Sequence, residues 1–282
     1  MGLDREIYMK LESLIEDALI KAVRILPEDV EEKIRRAAGT ESNPNGALVM
    51  QAIVENMEIA KEKDIPLCQD TGMFWCLVEI GRDAKVNLKS LEKAIIKGMR
   101  RASENGYYRK SVVKDPMGER VNTGTNLPAV ISYSLIDGED ITLSFLIKGF
   151  GSENCSSVRM LNPTLGEDGV IDAALDMMRS AGGKPCPPCF IGIGVGGTMD
   201  RAAFLSKKAF FKAGRESAFE RRLRSRLNEL GIGPGGLGGD NSVLSVQVLE
   251  EPTHIAGLPV AMTVNCWADR KAQIVIVGGY DE

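Results

Sequence analysis

The chain has 282 residues, of which 44% are hydrophobic and 26% are charged, and it carries a formal net charge of -4 at pH 7. These values are typical of an ordinary globular protein and provide no basic surface for nucleic acid. No apolar run approaches the roughly 20 residues of a membrane span, and the first residues lack the apolar core of a signal peptide. We therefore expect a cytoplasmic protein without membrane or nucleic-acid partners, whose cysteines serve metal binding or catalysis rather than disulfides.

Hydrophobic periodicity predicts helices and strands that follow one another along the chain. Apolar residues between Ile7 and Ala22 recur at helical spacing and indicate an amphipathic helix. Further helices are predicted at 27–38, 47–63, 88–103, 168–181, 198–213 and 216–230. Strand-like runs lie at 73–80, 128–135, 141–147, 190–195, 243–249, 260–264 and 273–277. Asp137 and Gly138 separate two of these runs and indicate a hairpin.

The sequence shows no internal repeat, no low-complexity segment and no convincing linker. Helical and strand-like segments occur throughout its length, which favours one mixed fold over separate all-helical and all-strand domains. We predict a mixed α/β (α+β) fold in which helices pack around a central mixed or antiparallel sheet, as a single domain spanning 1–282.

Polar segments stand beside several of the predicted strands. Cys68-Gln-Asp-Thr-Gly72 precedes an apolar run, and Arg120-Val-Asn-Thr-Gly-Thr-Asn126 precedes another. Such groups at the mouth of a buried strand usually serve a ligand, although Asp70 and Thr71 would also suit a self-capping turn. Arg109 could hold a carboxylate through two hydrogen bonds, or be an ordinary surface arginine. The glycines of Lys148-Gly-Phe-Gly-Ser-Glu-Asn-Cys155 suit close approach to an anion, or a bend in the backbone.

A proline- and glycine-rich segment allows three interpretations. Cys186 and Cys189 flank two prolines, and these thiols could ligate a metal such as zinc. Gly192-Ile-Gly-Val-Gly-Gly197 satisfies the dinucleotide fingerprint, which would make the protein a nicotinamide-dependent oxidoreductase. The sequence that follows is helical and charged, without the second strand and acidic residue that the fingerprint requires. A structural loop that enters a buried strand is the third interpretation.

The last third of the chain holds the only histidine. His254 precedes a strand-like run, and Cys266-Trp-Ala-Asp-Arg270 follows that run, so the strand could bring both segments to one site. A histidine has an ordinary pKa of about 6.5, which suits proton transfer. Cys68, Cys186 and Cys266 each begin a polar or proline-rich segment. Three thiolates on one [4Fe–4S] cluster would leave one iron open as a Lewis acid.

The chain resembles the class I (iron–sulfur) fumarate hydratases over nearly its whole length. The closest resemblance is to the separate α subunit of the two-subunit fumarases and L-tartrate dehydratases. The segments that carry it occur in the same order: Cys68-Gln-Asp-Thr-Gly72, Arg120-Val-Asn-Thr-Gly124, Lys148-Gly-Phe-Gly-Ser-Glu-Asn154, Cys186-Pro-Pro with Ile-Gly-Val-Gly-Gly-Thr198, His254 to Pro259, and Cys266-Trp-Ala-Asp-Arg270. Phe150 and Cys155 stand where the family often has glycine and lysine.

The resemblance implies a function and a set of site residues. It implies that Cys68, Cys186 and Cys266 ligate a [4Fe–4S] cluster. It places Gln69, Arg109 and the backbone of Gly149 and Gly151 near the substrate, with Asp70 and His254 as groups that handle protons. The resemblance assigns no role to Cys76 or Cys155, and Cys189 could compete with Cys186 as a ligand because the two are three residues apart.

The implied reaction is the hydration of fumarate to L-malate, a step of the tricarboxylic acid cycle, and tartrate dehydration is the close alternative. The family's other substrate contacts and a catalytic threonine lie in a second domain. We therefore expect a separate β subunit to complete the site in a hetero-oligomer. A non-enzymatic metal-binding subunit, with zinc at Cys186 and Cys189, remains a third hypothesis.

Overall fold

The computed structural model describes residues 2–278, whose helices and strands match most of the predicted segments. The helices are α1 (Gly2–Arg24), α2 (Glu28–Ala38), α3 (Pro44–Glu62), α4 (Leu88–Asn105), α5 (Phe150–Glu153), α6 (Gly166–Ala181), α7 (Met199–Lys208) and α8 (Ala218–Asn228). The strands are β1 (Met73–Gly81), β2 (Val130–Ile136), β3 (Ile141–Lys148), β4 (Ser157–Leu161), β5 (Cys189–Gly197), β6 (Val243–Thr253), β7 (Leu258–Asn265) and β8 (Arg270–Ile276). None of the described helices has the length and apolar character needed to cross a membrane.

The mixed α/β class is confirmed, and the strands form two four-stranded sheets where the sequence analysis expected one central sheet. The chain divides into two compact units, and each unit contains one sheet. Unit 1 comprises 2–27, 56–148 and 270–278 of the described residues, and unit 2 comprises 28–55 and 149–269. Neither unit is continuous in sequence, because unit 1 resumes at β8 after the strands of unit 2.

Sheet A, in unit 1, has the strand order β2-β1-β3-β8. β1 pairs parallel with β2 and antiparallel with β3, and β8 pairs antiparallel with β3. The predicted hairpin at Asp137 and Gly138 is therefore wrong, since β2 and β3 lie on opposite sides of β1. The chain does reverse its direction at Asp137 and Gly138, but β1, which precedes both strands in the sequence, lies between β2 and β3 in the sheet.

The core of unit 1 lies between one face of sheet A and the helices α1 and α4. The buried apolar residues of α4 recur at helical spacing, as in Leu91, Ile95 and Met99. Asn87 caps the N-terminus of this helix, because its side chain accepts a hydrogen bond from the Ser90 backbone N–H at 3.0 Å. Alternate residues of β1 and β3, among them Phe74, Cys76, Leu143 and Phe145, complete this core.

Sheet B, in unit 2, has the strand order β4-β7-β5-β6, with β5 parallel to β6 and antiparallel to β7. Its core packs α6 and α8 against the sheet. Ser217 and Glu220 form a capping box that starts α8. β4 had no prediction, because this short edge strand contains exposed and polar positions instead of an apolar run.

The glycines of β5 allow a helix to lie against the strand. A Cβ atom at Gly192 would overlap the carbonyl oxygen of Ser206, and one at Gly194 would overlap that of Ala202. Both carbonyls belong to α7, so the backbone of this helix sits directly on β5. Close packing of helix on strand therefore accounts for these glycines of the G-x-G-x-x-G pattern without a bound dinucleotide.

Candidate functional site

Unit 1 holds the Cys68–Gly72 segment in a turn that is tied by hydrogen bonds at Asp70, Thr71 and Gly72, and at Leu67 just before it. The Leu67 backbone N–H donates to Val23 O at 3.0 Å, and the Asn56 side chain donates to Leu67 O at 2.9 Å. The Gly72 backbone N–H donates to an oxygen of Asp70 at 3.1 Å. Gly72 has a φ of 90°, a conformation that favours glycine, and the backbone of Lys148 lies against it. Hydrogen bonds and close backbone packing therefore restrict the conformation of this turn.

Two buried polar residues that the sequence analysis did not name as site residues also hold this turn. Asn126 is fully buried, donates from its amide to Gly72 O at 3.1 Å, and accepts from the Ser111 backbone N–H at 3.2 Å. Arg270 is 1% exposed and donates from Nη1 to Asp70 O at 2.9 Å. Both residues lie at the ends of motifs that the sequence analysis quoted, but only their burial in the fold reveals this role.

The predicted substrate residues of unit 1 lie around the same turn. Cys68 and Asp70 are half-buried, and Gln69 is exposed. The backbone N–H of Arg109 donates to Thr71 Oγ1 at 2.8 Å, which places this residue beside the turn. The Arg109 side chain is exposed, so its guanidinium group is accessible to a carboxylate.

In unit 2, backbone hydrogen bonds fix the segment that carries Cys186. The Cys186 N–H donates to Gly183 O at 3.2 Å, and its carbonyl accepts from the Trp267 N–H at 3.4 Å. The next carbonyl, of Pro187, accepts from the Gly235 N–H at 2.8 Å. Cys186 is exposed and has a φ of 55°, in the left-handed region. The turn thus presents the thiol outward and places it close to the segment that begins at Cys266.

The Cys266 segment rests on a small network of buried polar groups. The Cys266 N–H donates to Asn265 Oδ1 at 3.2 Å, and Asn265 Nδ2 donates to Asp269 Oδ1 at 2.7 Å. Ser152 Oγ lies 3.4 Å from the same Asn265 oxygen and donates to Gly149 O at 3.0 Å. Cys266 itself is half-buried. Asn265 therefore links the thiol-bearing turn to the segment that contains Gly149.

The predicted glycine loop contains a four-residue helix, α5, which begins directly after Gly149. Gly151 is exposed, and a Cβ atom built there would lie 3.6 Å from Lys184 O, two residues before Cys186. Cys155 donates from Sγ to Gly151 O at 3.3 Å. The loop therefore lies next to both cysteine turns of unit 2.

His254 lies in the exposed connection between β6 and β7. Its Nδ1 accepts a hydrogen bond from the Ala256 N–H at 3.1 Å, and its carbonyl accepts from the Gly257 N–H at 2.9 Å. These local bonds shape the turn and leave the other ring nitrogen available. The role of His254 in proton transfer remains a prediction.

The remaining cysteines differ in burial, and Cys155 is half-buried, as Cys68 and Cys266 are. Cys76 and Cys189 are completely buried in the two cores. Burial raises the pKa of the Cys76 thiol well above its ordinary value, so this side chain stays a neutral thiol. None of the six cysteines forms a disulfide with another described residue. Cys186 and Cys189 therefore present one thiol outward and one into the core, which does not suit a shared zinc ion.

Within residues 2–278, no group of three or more histidine, cysteine, aspartate or glutamate side chains converges as a site for one metal ion. A cubane cluster has a different requirement, because each iron takes its own thiolate. The exposed Cys186 and half-buried Cys266 lie on neighbouring turns of unit 2, and Cys68 lies half-buried on the turn of unit 1. Each of these thiols is an accessible soft donor of the type that iron–sulfur clusters take, and their joint use as ligands remains a prediction.

Comparison with known proteins gives concordant matches. A family model described as "Fumarate hydratase (Fumerase)" matches residues 12–275. A Methanocaldococcus jannaschii protein, provisionally named L(+)-tartrate dehydratase subunit alpha, is 37% identical over 94% of this chain and 96% of its own length. An Escherichia coli L(+)-tartrate dehydratase subunit alpha is 28% identical over 88% of this chain and 85% of its own length. A Shigella sonnei protein of the same name is 27% identical, over 89% and 86% respectively.

Proposed function

This chain belongs to the fumarate hydratase (Fumerase) family of hydro-lyases, and we propose that it is the α subunit of an L(+)-tartrate dehydratase. The observation that carries the choice of tartrate is the 37% identity, over almost the full length of both chains, to a relative that is provisionally named for that reaction. Hydration of fumarate to L-malate is the second candidate, and the description of the family model favours it. The two reactions differ by one hydroxyl group on a dicarboxylate.

We propose that Cys68, Cys186 and Cys266 hold a [4Fe–4S] cluster. The proposal is supported by their accessible thiols and by the burial of Cys76 and Cys189, which removes these two as ligands. When bound, such a cluster supplies one iron without a protein ligand, a Lewis acid that can polarise a substrate hydroxyl.

The chain's own residues would bind the substrate and move its proton. Dehydration of a 2-hydroxy diacid requires loss of a weakly acidic carbon-bound proton together with departure of hydroxide. The exposed guanidinium of Arg109 would hold one carboxylate, with Gln69 and the backbone of Gly149 and Gly151 as further donors. Asp70 or His254 would act in proton transfer. The turn that carries Asp70 is restricted by hydrogen bonds, which supports accurate placement of that carboxylate.

We further propose that a β subunit completes the active site in a hetero-oligomer, with residues 1–282 acting as one α-subunit domain. The relatives are themselves named as alpha subunits. A dicarboxylate needs a clamp at each end, and Arg109 is the one candidate arginine assigned to that task here. We therefore expect the isolated chain to bind iron yet show little or no turnover.

The test is to assay the chain, purified without oxygen, alone and co-expressed with its β subunit. Dehydration of tartrate gives an enol that tautomerises to a 2-oxo diacid, which a carbonyl reagent detects, whereas loss of fumarate is followed by its absorbance. We expect turnover of L(+)-tartrate only from the complex, with slower or no conversion of fumarate. Faster conversion of fumarate would favour the second candidate. Full activity of the chain alone would contradict the two-subunit proposal.

The ligand set is tested separately by measuring iron and acid-labile sulfide. We expect about four of each per chain in the wild type, as one cubane cluster requires. Cys68→Ser, Cys186→Ser and Cys266→Ser should each lose most of the iron. Cys76→Ser and Cys189→Ser are matched controls and should retain it. Stoichiometric zinc without sulfide, or retention of the cluster by Cys186→Ser, would contradict the ligand set.

A further inference from the structure

A glycine-rich loop of unit 2, residues 231–242, leads directly into β6. All six of its glycines have a positive φ, between 63° and 137°. Glycine loses more conformational freedom on folding than any other residue, so a loop of this composition is costly to hold in one path. The 231–242 loop therefore depends on contacts with other segments to keep its shape.

The 231–242 loop is bonded to the turn that carries Cys186, on the side that follows this residue. The Gly235 N–H donates to the carbonyl of Pro187 at 2.8 Å. The Cys189 N–H donates to the carbonyl of Ser242, also at 2.8 Å. Two backbone hydrogen bonds thus fix the three residues that follow Cys186 to the two halves of the loop.

The loop also contacts the backbone that precedes Cys186. A Cβ atom built on Gly236 would lie 2.6 Å from the Cα atom of Gly183, so the two glycines are in direct backbone contact. The carbonyl of Gly183 in turn accepts a hydrogen bond from the Cys186 N–H at 3.2 Å. The path of the 231–242 loop therefore determines the position of the Cys186 turn from both sides.

Glu41, in the connection between α2 and α3, fixes the far end of this loop. Its two carboxylate oxygens accept from the Asp240 N–H at 3.0 and 3.1 Å. Oε2 also accepts from the backbone N–H of Asn241 at 3.0 Å and from its side-chain amide at 2.9 Å. A Cβ atom built on Gly239 would overlap Oε1 of Glu41. The carboxylate therefore lies directly against the backbone of the loop.

A second carboxylate makes the attachment reciprocal. Oδ2 of Asp240 accepts from the backbone N–H of Ser42 at 3.1 Å and from its hydroxyl at 2.5 Å. Each segment thus supplies one carboxylate that binds N–H groups of the other, and we call these hydrogen bonds the Glu41–Asp240 clasp. Hydrogen bonds to an ionised carboxylate are roughly twice as strong as those between neutral groups. The clasp therefore holds the end of the loop that adjoins Ser242.

We propose that Glu41 is a positioning residue, which holds the proposed cluster ligand Cys186 in place through the 231–242 loop. This inference rests on the proposed function, because it takes Cys186 as a ligand, and it extends that function to a residue that acts on the ligand through the backbone. Opening of the loop would free the residues after Cys186, and the thiol would then leave the position that a ligand must keep. The Glu41–Asp240 clasp opposes this opening.

The first experiment measures local opening in the full-length chain without its cluster. Cys189 is completely buried at the start of β5, so iodoacetamide reaches its thiol only when this end of the strand opens. Cys76 is completely buried in the core of unit 1 and serves as the reference within the same chain. The alkylation rates of both cysteines are measured by mass spectrometry, and their ratio reports opening beside the Cys186 turn.

Three variants separate positioning from a general loss of stability. Glu41→Gln keeps the size of the side chain but replaces one accepting oxygen with an N–H group that faces donors. Asp240→Ala removes the other half of the clasp from an exposed position. Ser217→Ala is the matched control, because it destabilises unit 2 by removing the cap of α8, whose hydrogen bond to the Glu220 N–H lies outside the clasp.

We expect Glu41→Gln to raise the alkylation ratio of Cys189 to Cys76 about tenfold, the effect of losing one charge-assisted hydrogen bond. Asp240→Ala should raise it in the same direction, and Ser217→Ala should keep it within about twofold of wild type. An unchanged ratio in Glu41→Gln, or an equal rise in Ser217→Ala, would overturn the proposal. Should Glu41→Gln fail to fold, the ratio in Asp240→Ala decides by the same criterion.

The second experiment measures release of iron from the full α/β complex to a chelator. We expect Glu41→Gln to release iron at least about threefold faster than Ser217→Ala, because the Cys186 turn opens more often. Equal rates in the two variants would contradict the effect of Glu41 on the ligand.

The wild type separates this inference from the proposed function. A wild-type complex without iron would contradict the proposed function itself, whereas the alkylation ratio needs no iron and still tests the hold of Glu41 on the turn. A wild type that binds iron, with a Glu41→Gln variant that matches it in both experiments, would contradict only the role of Glu41.

Discussion

The two units hold their cysteine turns by different means. In unit 1, the turn after Cys68 is tied by side chains, since Asn126 and Arg270 donate to its carbonyls. In unit 2, the backbone of the turn at Cys186 is tied by other backbone groups: the carbonyl of Gly183 and the N–H groups of Trp267 and Gly235. The first arrangement depends on which residues are present, and the second depends on how closely backbone segments can approach one another.

This difference predicts two kinds of sensitivity to mutation. Loss of a buried polar side chain should damage unit 1, because the freed carbonyl is left without a donor. Addition of a methyl group at a tightly packed glycine should damage unit 2, because neighbouring backbone cannot move aside at low cost.

Gly192→Ala should cause the largest loss of stability. Its Cβ would overlap the carbonyl of Ser206 and push α7 away from β5, the strand that follows the Cys186 turn. We expect a loss of about 3 kcal/mol in the free energy of unfolding, measured by urea denaturation. Gly39→Ala is the matched control, because a Cβ there would meet its nearest atom at 3.6 Å. Equal stability of the two variants would contradict the role given to backbone packing in unit 2.

Asn126→Ala should have the next largest effect. It removes a donor to Gly72 O, which is then left without this partner in a buried setting, and an acceptor for the less buried Ser111 N–H. We expect a loss of about 2 kcal/mol, again by urea denaturation, together with reduced iron retention. Asn122→Ala, in the same motif, removes hydrogen bonds from an exposed residue and serves as the control. A control that lost as much stability would show that burial is not the deciding factor.

Glu220→Gln should have a smaller effect, and that effect should depend on pH. Burial raises the pKa of Glu220, but hydrogen bonds from Lys212 and from the Ser217 and Val248 N–H groups outweigh it and hold the pKa below its ordinary value. A lowered pKa stabilises the folded chain above the unfolded-state value of about 4.3, and this contribution disappears as the pH falls through the folded-state pKa.

We therefore expect wild type to exceed Glu220→Gln by about 1–2 kcal/mol at pH 7, with the difference shrinking below about pH 4. Denaturation curves at several pH values measure this difference. Glu229→Gln is the control, because its pair with Arg226 is 61% exposed at Glu229 and should contribute little at any pH. A difference that stays constant with pH would contradict the assigned ionisation of Glu220.

The sequence predicted the long helices well, because helical spacing of apolar residues is a local property. The periodic residues of the first helix and the stripe of α4 both appear in the core of unit 1. The hairpin at Asp137 and Gly138 failed because a turn signal shows where a chain reverses, not which strand it then meets. β1 is more than 45 residues from β2, and no local pattern shows that it separates β2 from β3.

The sequence also identified the segments that form the cysteine turns, since each is a short polar stretch beside an apolar run. The sequence did not show that Asn126 and Arg270 support the turn after Cys68, because a motif does not reveal whether the side chains in it are exposed or buried. Their role depends on the carbonyls of a turn more than 50 residues away in the case of Asn126 and 200 residues away in that of Arg270. Tertiary burial is the information that the sequence lacked.

The interleaving of the two units has a consequence for biosynthesis. Sheet A begins with β1 and lacks its last strand until β8 has been translated, whereas sheet B is complete at the end of β7. A chain emerging from the ribosome can therefore close its second sheet before its first. Until β8 has been synthesised, one edge of β3 has unpaired backbone N–H and C=O groups, which can pair with another chain. We expect the nascent protein to be most prone to misassembly in the interval between synthesis of β3 and of β8.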